Sequence, residues 1–518
     1  MALAVRQREF WWVPMLAASL AAAAAALGLQ GVDLPAQIYR VGLFHRDGLT
    51  LWDSQWYGGH WTFNYSVIFP PVAGLLGAEA TEVISAAAAS LAFDRLVIRT
   101  FGRGARVGSV VFATGTLAQV AIGQLPFLLG EALGLSAYWA STRRRWTPAL
   151  ALGIATPLAS PLAGAFLALA ALSSVVAAWP RRRLGLACIA GASTLPLVAL
   201  AAVFPGQGAM PFPALDFVWL VLIVLGALVL VFAWDRSLQI GAGVYLFAIA
   251  LSFAVPTPVG GNISRLGECI GGPLVACVLA PRRQWWVAAT AALPLALLQW
   301  GPAISTLAGS STDPSSDAAY FRPLIRFLAD HRNPPGRVEI VPTKLHWEAA
   351  YVAPSSPLAR GWERQLDTAD APLFYTDNAL RAASYRAWLI DNGVRYVAVP
   401  DVPLDYAAVA ESRLIQNGVP GLSRAWQDSH WRVFGVKGST GIVDGPARLL
   451  QLDGNAITLQ AQRAGTIVIR VRYSPHWSLV SGNGCVSRGP REWTQLYASR
   501  GGLFRLKIGL FTNQKRPC

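Results

Sequence analysis

Charged residues are scarce in this chain of 518 residues, since Asp, Glu, Lys and Arg together make up 14% of it and hydrophobic residues 54%. Soluble domains carry about 25% charged residues. The deficit lies almost entirely before residue 308, where long apolar runs follow one another. The sequence therefore excludes an ordinary soluble protein. It predicts a polytopic α-helical membrane domain at 1–307 with a polar tail, and a first apolar segment that is retained rather than cleaved.

Lysine is nearly absent, and its four residues, Lys344, Lys437, Lys507 and Lys515, all lie in the tail. The net charge of +15 is therefore mostly arginine. Before residue 300 the arginines stand in short connections between apolar runs, as in the positive-inside pattern. Charge dispersed in this way does not predict nucleic-acid binding, which needs it gathered on one face. Contact with anionic lipid headgroups fits it better.

Several catalytic motifs are missing from the sequence: GxxxxGK[ST], HExxH, GxSxG and any CxxC pair. Their absence disfavours ATP-driven and zinc-dependent chemistry, and we expect no metal and no cofactor. Only five cysteines are present. Cys485 and Cys518 could close a loop of about 30 residues if the tail lies outside the cytoplasm. The sequence leaves that pairing open.

The apolar runs predict about eleven membrane helices, because a span needs about 20 apolar residues. Six arginine clusters then fall on one side. By the positive-inside rule the amino terminus is cytoplasmic in a bacterial plasma membrane, and the 31–65 loop and the tail face outward. The predicted helices lie near 11–30, 66–93, 107–123, 125–141, 147–159, 161–179, 184–204, 214–234, 238–255, 266–280 and 284–306. The clusters are Arg6/Arg8, Arg95/Arg99/Arg103/Arg106, Arg143–Arg145, Arg181–Arg183, Arg236 and Arg282/Arg283.

The tail has two parts. A polar linker at 310–316 leads into 308–428, where runs typical of helices, near 320–331 and 379–392, alternate with short β-type runs at 338–341 and 394–399. Gly393 is positioned as a helix C-cap. From about 430 strand-like runs and Gly or Asn turns follow one another. The sequence predicts an extracytoplasmic α/β region at 308–428 and a β-sandwich-like region at 429–518.

The 31–65 loop gathers most of the candidate site residues. Asp33 follows the first apolar segment and could act as a general base; the alternative is a helix-end acid in headgroup water, which position alone favours. Arg40, with His45 and Arg46, could clamp a phosphate. On spacing alone, contact with lipid headgroups is the more frequent arrangement.

Two further groups carry possible binding chemistry. The segment 51–60, LWDSQWYGGH, supplies Asp53, Trp56 and His60, which suit a sugar site but also resemble an interfacial aromatic belt. Arg265, in an outward loop, could hold a lipid-linked phosphate. Equally, it could form an i,i+3 helix pair with Glu268.

The run DGLTLWDSQWYGGHWTFNYSVIFPP, with an acid just after the first helix, resembles the first outer loop of GT-C-type membrane glycosyltransferases, in particular YfhO-like bacterial branches. The segments 121–139 and 160–172 resemble that superfamily's middle helices, and TIVIRVRYSPHWSLVSGNG resembles an end-domain strand of the YfhO-like proteins. The specific motif spans about 35 residues. The resemblance implies a GT-C-like fold.

The resemblance also implies an activity. Such enzymes move a sugar from a polyprenyl-phosphate donor to a glycan or glycolipid acceptor on the outer face, with the first-loop acid, here Asp33, as base. Many members have two acids there, whereas Leu34 follows Asp33 in this chain. A transporter or flippase of lipid-linked sugars, or a non-enzymatic envelope scaffold, are the alternatives.

Overall fold

The computed structural model describes residues 11–177, 183–206, 208–231, 233, 235–308, 310–510 and 518. The predicted clusters Arg6/Arg8 and Arg181/Arg182 lie outside the described residues. The chain divides into two compact units. Unit 1 comprises Met1–Gln37 and Phe63–Ser311, and unit 2 comprises Ile38–Thr62 and Thr312–Cys518. Most of the predicted outer loop is therefore grouped with the tail.

Unit 1 is helical, with apolar helices wherever the sequence predicts them. The helix Leu34–Asp47 begins in unit 1 and ends in unit 2. The remaining helices are Trp12–Ala26, Phe69–Leu76, Ala78–Phe101, Arg106–Ile122, Leu125–Thr142, Trp146–Ala159, Pro161–Ala177, Arg183–Val203, Ala214–Leu230, Arg236–Ala254, Ser264–Leu266, Gly272–Arg282 and Trp285–Leu307.

Five helical stretches in the described part of the chain are long and apolar enough to cross a membrane, or six if one bent pair counts as a single span. The eleven predicted spans are therefore not confirmed. Four other apolar helices are shorter. The five stretches are Arg103–Ile122, Leu184–Val203, Arg236–Ala254, Gly260–Arg282 and Trp285–Leu307, and the shorter helices are Trp12–Ala26, Trp146–Ala159, Pro161–Ala177 and Ala214–Leu230.

The predicted second helix, 66–93, is broken. The chain direction bends by 112° between the helices Phe69–Leu76 and Ala78–Phe101. Gly77, the residue between them, has φ of 89°, a backbone conformation that glycine adopts without steric cost. The apolar run alone predicts one helix because it does not reveal the turn.

The stretch Gly260–Arg282 is not a uniform α-helix. It contains a 3-10 turn, Gly260–Ile263, and a π-helical segment, Gly267–Gly271. The Tyr245 hydroxyl donates to the Ile263 carbonyl at 2.8 Å and accepts from the Gly267 N–H at 3.1 Å. A side chain inserted into the hydrogen-bond ladder interrupts α-helical pairing. π-Helical segments are frequent at functional sites, and Arg265 lies two residues before this one.

Unit 2 contains a mixed sheet of order β3-β4-β6-β5, formed by Arg337–Ile340, Val394–Pro400, Trp431–Val436 and Leu422–Gln427. β3 and β4 are parallel and the other pairs antiparallel. Gly393, with φ of 66°, follows the helix Ala382–Asp391, as the C-cap prediction requires. The other helices are Ala318–Asp330, Glu348–Tyr351, Arg364–Asp370 and Val409–Gln416.

Eight further strands of unit 2 are Val443–Asp444 (β7), Ala447–Leu452 (β8), Ala456–Ala461 (β9), Gly465–Arg472 (β10), Trp477–Ser481 (β11), Gly484–Arg488 (β12), Trp493–Ala498 (β13) and Gly502–Ile508 (β14). They form two antiparallel four-stranded sheets, of orders β12-β13-β10-β7 and β11-β14-β9-β8. β6, which the sequence places with the carboxyl-terminal region, pairs instead with β4 and β5. The two remaining strands, Trp52–Asp53 (β1) and His60–Trp61 (β2), pair with each other.

Cys485 and Cys518, whose pairing the sequence leaves open, form a disulfide. Disulfides persist in oxidising compartments, so we expect the tail to lie outside the cytoplasm. In intact cells a Cys485→Ser variant should expose the Cys518 thiol to a membrane-impermeant maleimide. The Cys485→Ser/Cys518→Ser double variant is the control and should lose that label. Labelling of the single variant only after permeabilisation would place the tail in the cytoplasm.

Candidate functional site

Asp33 is buried, with 6% of its surface exposed, immediately before the helix Leu34–Asp47. Its N–H donates to the Ile122 carbonyl at 2.9 Å. Gly31 permits this close approach, because a Cβ there would lie 2.2 Å from the Ala121 carbonyl oxygen. The backbone thus holds the Asp33 carboxyl at the end of the helix Arg106–Ile122, away from bulk water.

Arg265 meets Asp33 in unit 1. Its Nη2 donates to Asp33 Oδ2 at 3.3 Å, and its guanidinium carbon lies 5.9 Å from the centre of the Phe127 ring. An ion pair is stronger in such apolar surroundings than in water. The sequence left open whether Arg265 holds a phosphate or forms a helix pair with Glu268. In the structure its ion-pair partner is Asp33 rather than Glu268. The Glu268 carboxylate accepts instead from the Ser264 hydroxyl at 2.6 Å.

Glu268 adds a second acid to this site. It is close enough to Asp33 and Arg265 to interact with both electrostatically. From the sequence, Glu268 is predicted only as a helix-pair partner of Arg265, because 235 positions separate it from Asp33. Its position beside Arg265 in an otherwise apolar segment was the only available signal. Asp33 therefore does not stand alone, although its neighbour comes from another helix rather than from the next residue.

A buried polar chain runs through the same unit. Gln119 Nε2 donates to Glu131 Oε2 at 2.8 Å and lies 3.3 Å from Cys269 Sγ. Acids within apolar helices are costly and usually functional. Glu131 is not among the site residues predicted from the sequence, although it is the only acid within Leu125–Thr142. Among the described residues, no group of three or more His, Cys, Asp or Glu side chains could hold a metal ion.

Arg40 belongs to unit 2, where it is 5% exposed and forms an ion pair with Glu363. Its guanidinium carbon lies 5.7 Å from the Trp56 ring centre and 5.9 Å from that of Trp362. Burial raises the pKa of Glu363, and the Arg40 charge opposes that effect. Arg40 is therefore already neutralised by a carboxylate, which weakens its predicted role as a phosphate clamp.

Asp53, Trp56 and His60 lie in the same packed cluster. Tyr39 donates its hydroxyl to Asp53 Oδ2 at 2.8 Å, and burial raises the pKa of Asp53 to about 6. Trp56 is fully buried, with ring centres 4.3 Å from Tyr39 and 5.7 Å from His60. Burial and the Arg40 charge lower the pKa of His60 to about 3, so this imidazole is neutral at pH 7.

These contacts bear directly on the predicted sugar site. A sugar ring needs an exposed aromatic face, whereas Trp56 is fully buried and its ring stacks on those of Tyr39 and His60. His45 is exposed in the last turn of Leu34–Asp47. The structure thus brings Asp33 and Arg265 together in unit 1, and packs Arg40, Asp53, Trp56 and His60 together in unit 2. The aromatic and polar pattern of 51–60 suits a buried polar cluster as well as it suits an interface.

A second charged cluster in unit 2 surrounds His346. Its Nδ1 lies 3.3 Å from Glu348 Oε1 and its Nε2 lies 3.4 Å from Asp405 Oδ2. Burial alone would lower the pKa of His346, but the two carboxylates outweigh burial and raise it to about 9. The same contact, with Arg364, holds the pKa of Asp405 below its usual range. His346 is therefore an imidazolium at pH 7.

This raised pKa predicts alkaline lability. Because the pKa of His346 is about 9 when folded and about 6.5 when unfolded, its stabilisation is complete below pH 6.5 and is lost as pH rises through 9. The shift corresponds to about 3 kcal/mol at most. Thermal unfolding of the full chain between pH 6 and 10 should show the fall, and His346→Gln should flatten it. The control is His430→Gln, at a partly exposed position where the imidazole contacts a single carboxylate, that of Asp401. An unchanged slope in His346→Gln would refute the assignment.

No protein-family model and no curated protein sequence matches this chain. The features of this chain that bear on its function are the site itself and the motif resemblance of the first loop.

Proposed function

We propose that this chain is a membrane glycosyltransferase of GT-C type, which moves a sugar from a polyprenyl-phosphate donor to a cell-envelope glycan or glycolipid on the outer face of a bacterial plasma membrane. The observation that carries the proposal is the partly buried ion pair between Asp33 and Arg265. It joins the acid that follows the first apolar helix to a cation from a helix more than 200 residues later. A base and a phosphate-binding cation are the two groups that such a transfer requires.

Asp33 is the base of the proposed reaction. Its carboxylate accepts the proton of the acceptor hydroxyl while the acceptor oxygen bonds to the anomeric carbon of the sugar. The bond from that carbon to the phosphate oxygen breaks, and polyprenyl phosphate leaves with the electron pair. A base within hydrogen-bond reach of the attacking hydroxyl contributes about 10²- to 10⁴-fold to such a step. The proton ends on Asp33 and is released to water after product departure.

Arg265 is the proposed phosphate-binding residue. Its planar guanidinium suits phosphate oxygens, and charge develops on the leaving phosphate in the transition state. Arg265 is paired with Asp33 in the structure. Arrival of a phosphate draws the guanidinium away and frees the carboxylate to act as base. Donor binding thereby activates the base in the same movement.

The topology of the proposal follows the arginine pattern. Basic connections lie on the cytoplasmic side and the tail on the outer side, with the disulfide Cys485–Cys518 suited to that compartment. Asp33 then lies at the outer end of the first helix, where an acceptor of the cell envelope is accessible. We propose that unit 2 recognises the acceptor.

A transfer assay tests the function. The purified full chain in nanodiscs is incubated with radiolabelled polyprenyl-phosphate hexoses and pentoses and a cell-envelope glycan fraction. Label in the glycan is the expected result. In sealed proteoliposomes, movement of labelled donor between leaflets without transfer would instead establish the transporter or flippase. Absence of both activities would leave the envelope scaffold and would refute the enzyme.

Replacement of Arg265 separates binding from chemistry. Because Arg265→Gln removes the charge that holds the donor phosphate, we expect a higher donor KM and a kcat/KM about 10- to 100-fold lower. Arg265→Lys keeps the positive charge but lacks the planar, two-donor geometry of the guanidinium. Its kcat/KM for the donor should therefore lie between those of the unmodified chain and of Arg265→Gln. The control is Arg236→Gln, an exposed arginine at a helix start in the same unit. Equal donor kinetics in Arg265→Gln and Arg236→Gln would contradict the assignment.

A further inference from the structure

Unit 2 contains a cavity of about 360 Å³. Its walls come from the residues that follow the helix Ala318–Asp330, from β3, β4 and β8, and from the turn at 354–357. Small-molecule sites in proteins have volumes of about 300–1,000 Å³. The cavity is therefore large enough for a ligand of sugar size.

The charge of this cavity is one-sided. Four arginines and one histidine line it, whereas none of its described lining residues is Asp or Glu. These five residues are His331, Arg332, Arg337, Arg395 and Arg448. A cavity whose lining charges share one sign concentrates ligands of the opposite sign.

Within the part of the chain that the structure describes, the side-chain hydrogen bonds of Arg395 and Arg448 go to neutral groups. Arg448 Nη2 donates to the Asn333 side-chain oxygen at 3.1 Å, and Arg395 Nη1 donates to the Pro334 carbonyl. Both acceptors are neutral. Each contact positions a guanidinium at the cavity wall without cancelling its charge.

Arg337 is the most buried of the four lining arginines and adds positive charge to the cavity. It is 1% exposed, and its Nη1 donates to the Asn392 carbonyl at 2.9 Å. Within the described residues, no carboxylate lies within 4 Å of its guanidinium. Burial and the neighbouring Arg472 and Arg470 lower its pKa to about 9, so it is still charged at pH 7. Because Arg337 is buried, it contributes positive charge to the cavity without contacting a ligand.

Neutral groups complete the lining. Tyr396, whose ring centre lies 5.3 Å from the Arg395 guanidinium carbon, supplies an aromatic surface, and Ser355, Ser356 and Gln55 supply hydrogen-bonding groups. Convergent arginines with a few neutral polar groups and one aromatic ring match a phosphate ester carried on a polar body.

We propose that this cavity of unit 2 binds a phosphate ester of sugar size, with Arg332, Arg395 and Arg448 contacting the phosphate oxygens. The site is separate from the Asp33–Arg265 pair and does not depend on the glycosyltransferase proposal. The phosphate belongs either to a soluble sugar phosphate or to a lipid headgroup, and the experiment separates these sources.

Binding is measured on the full chain in phosphatidylcholine nanodiscs. Titration calorimetry with glucose 1-phosphate should show one site per chain, and glucose should not bind. Arg395→Gln and Arg448→Gln should each weaken the affinity about tenfold, because each removes a charged hydrogen-bond donor. The control is Arg505→Gln, an exposed arginine of β14 outside the cavity. Arg395→Gln and Arg448→Gln change side chains at the surface of the sheet and of the cavity wall. Thermal unfolding midpoints close to that of the unmodified chain verify that both variants fold.

The second arm addresses a lipid source. If the phosphate belongs to a lipid headgroup, phosphatidylglycerol in the nanodiscs should raise the thermal unfolding midpoint of the chain. The double variant Arg395→Gln/Arg448→Gln should abolish that rise. A response to either probe that requires these two arginines supports the proposal. Failure of both probes, retention of binding by the double variant, or an equal loss in Arg505→Gln would overturn it.

Discussion

The Asp33→Asn variant is expected to lose glycosyl transfer by about 10²- to 10⁴-fold, the range that removal of a general base produces. Asparagine has nearly the same size and can still accept a hydrogen bond from Arg265, but it cannot take the acceptor proton. The loss should therefore appear in kcat, with donor KM changed less. Initial rates with radiolabelled polyprenyl-phosphate sugar in nanodiscs measure both constants.

The matched control for this experiment is Asp216→Asn. Asp216 is exposed in the first turn of the helix Ala214–Leu230, near the end predicted to face outward, and so resembles Asp33 in position but not in burial or pairing. Its replacement should leave the transfer rate within about twofold. Full activity of Asp33→Asn, or the same loss in both variants, would remove Asp33 from the mechanism.

The second large effect is expected in the core of unit 2. Arg360 is 3% exposed, its Nη2 lies 2.8 Å from Glu339 Oε1, and it also contacts the Glu411 carboxylate. Its guanidinium carbon lies 3.7 Å from the Phe374 ring centre. A third carboxylate, that of Asp367, lies 3.8 Å from Arg360 Nη1. Arg360→Leu removes the counter-charge of all three buried acids. Removal of one partner of a buried ion pair typically costs about 3–5 kcal/mol.

Thermal and urea unfolding of the full chain should show this loss in Arg360→Leu. Arg424→Leu, at an exposed position on β5, is the control and should change stability by about 0.5 kcal/mol or less. Adding Glu339→Gln and Glu411→Gln to Arg360→Leu should restore part of the stability, because neutral amides replace the unpaired charges. If the triple variant is no more stable than Arg360→Leu, unpaired charge is not the cause.

The local elements were largely predictable from sequence. Apolar runs identify the positions of the helices of unit 1, and Gly393 marks the end of the helix Ala382–Asp391 as expected. The number of spans was not predictable from hydropathy alone, since apolar helices of 14–17 residues are as hydrophobic as the longer ones. Hydropathy measures composition, whereas the turn at Gly77 depends on a single backbone angle.

The candidate site was predictable only in part. Asp33 and Arg265 were both identified from their residue types and loop positions, but their pairing depends on the packing of distant helices. Arg40 finds its counter-charge in Glu363, 323 residues away. No local pattern encodes such a partner. The same limit explains why Trp56 and His60 resembled an exposed sugar site although they are buried.

The π-helical segment Gly267–Gly271 has a consequence for helical phase. Successive residues of an α-helix are rotated by about 100° around the helix axis. One additional residue in a turn therefore rotates the side chains that precede the turn by about that angle relative to the side chains that follow it. Arg265 precedes this offset, whereas the helix Gly272–Arg282 follows it. Which direction Arg265 faces is thus set by the glycines that accommodate the wider turn as well as by its position in the sequence. A chain with the same arginine in an uninterrupted α-helix would present that charge to a different neighbour.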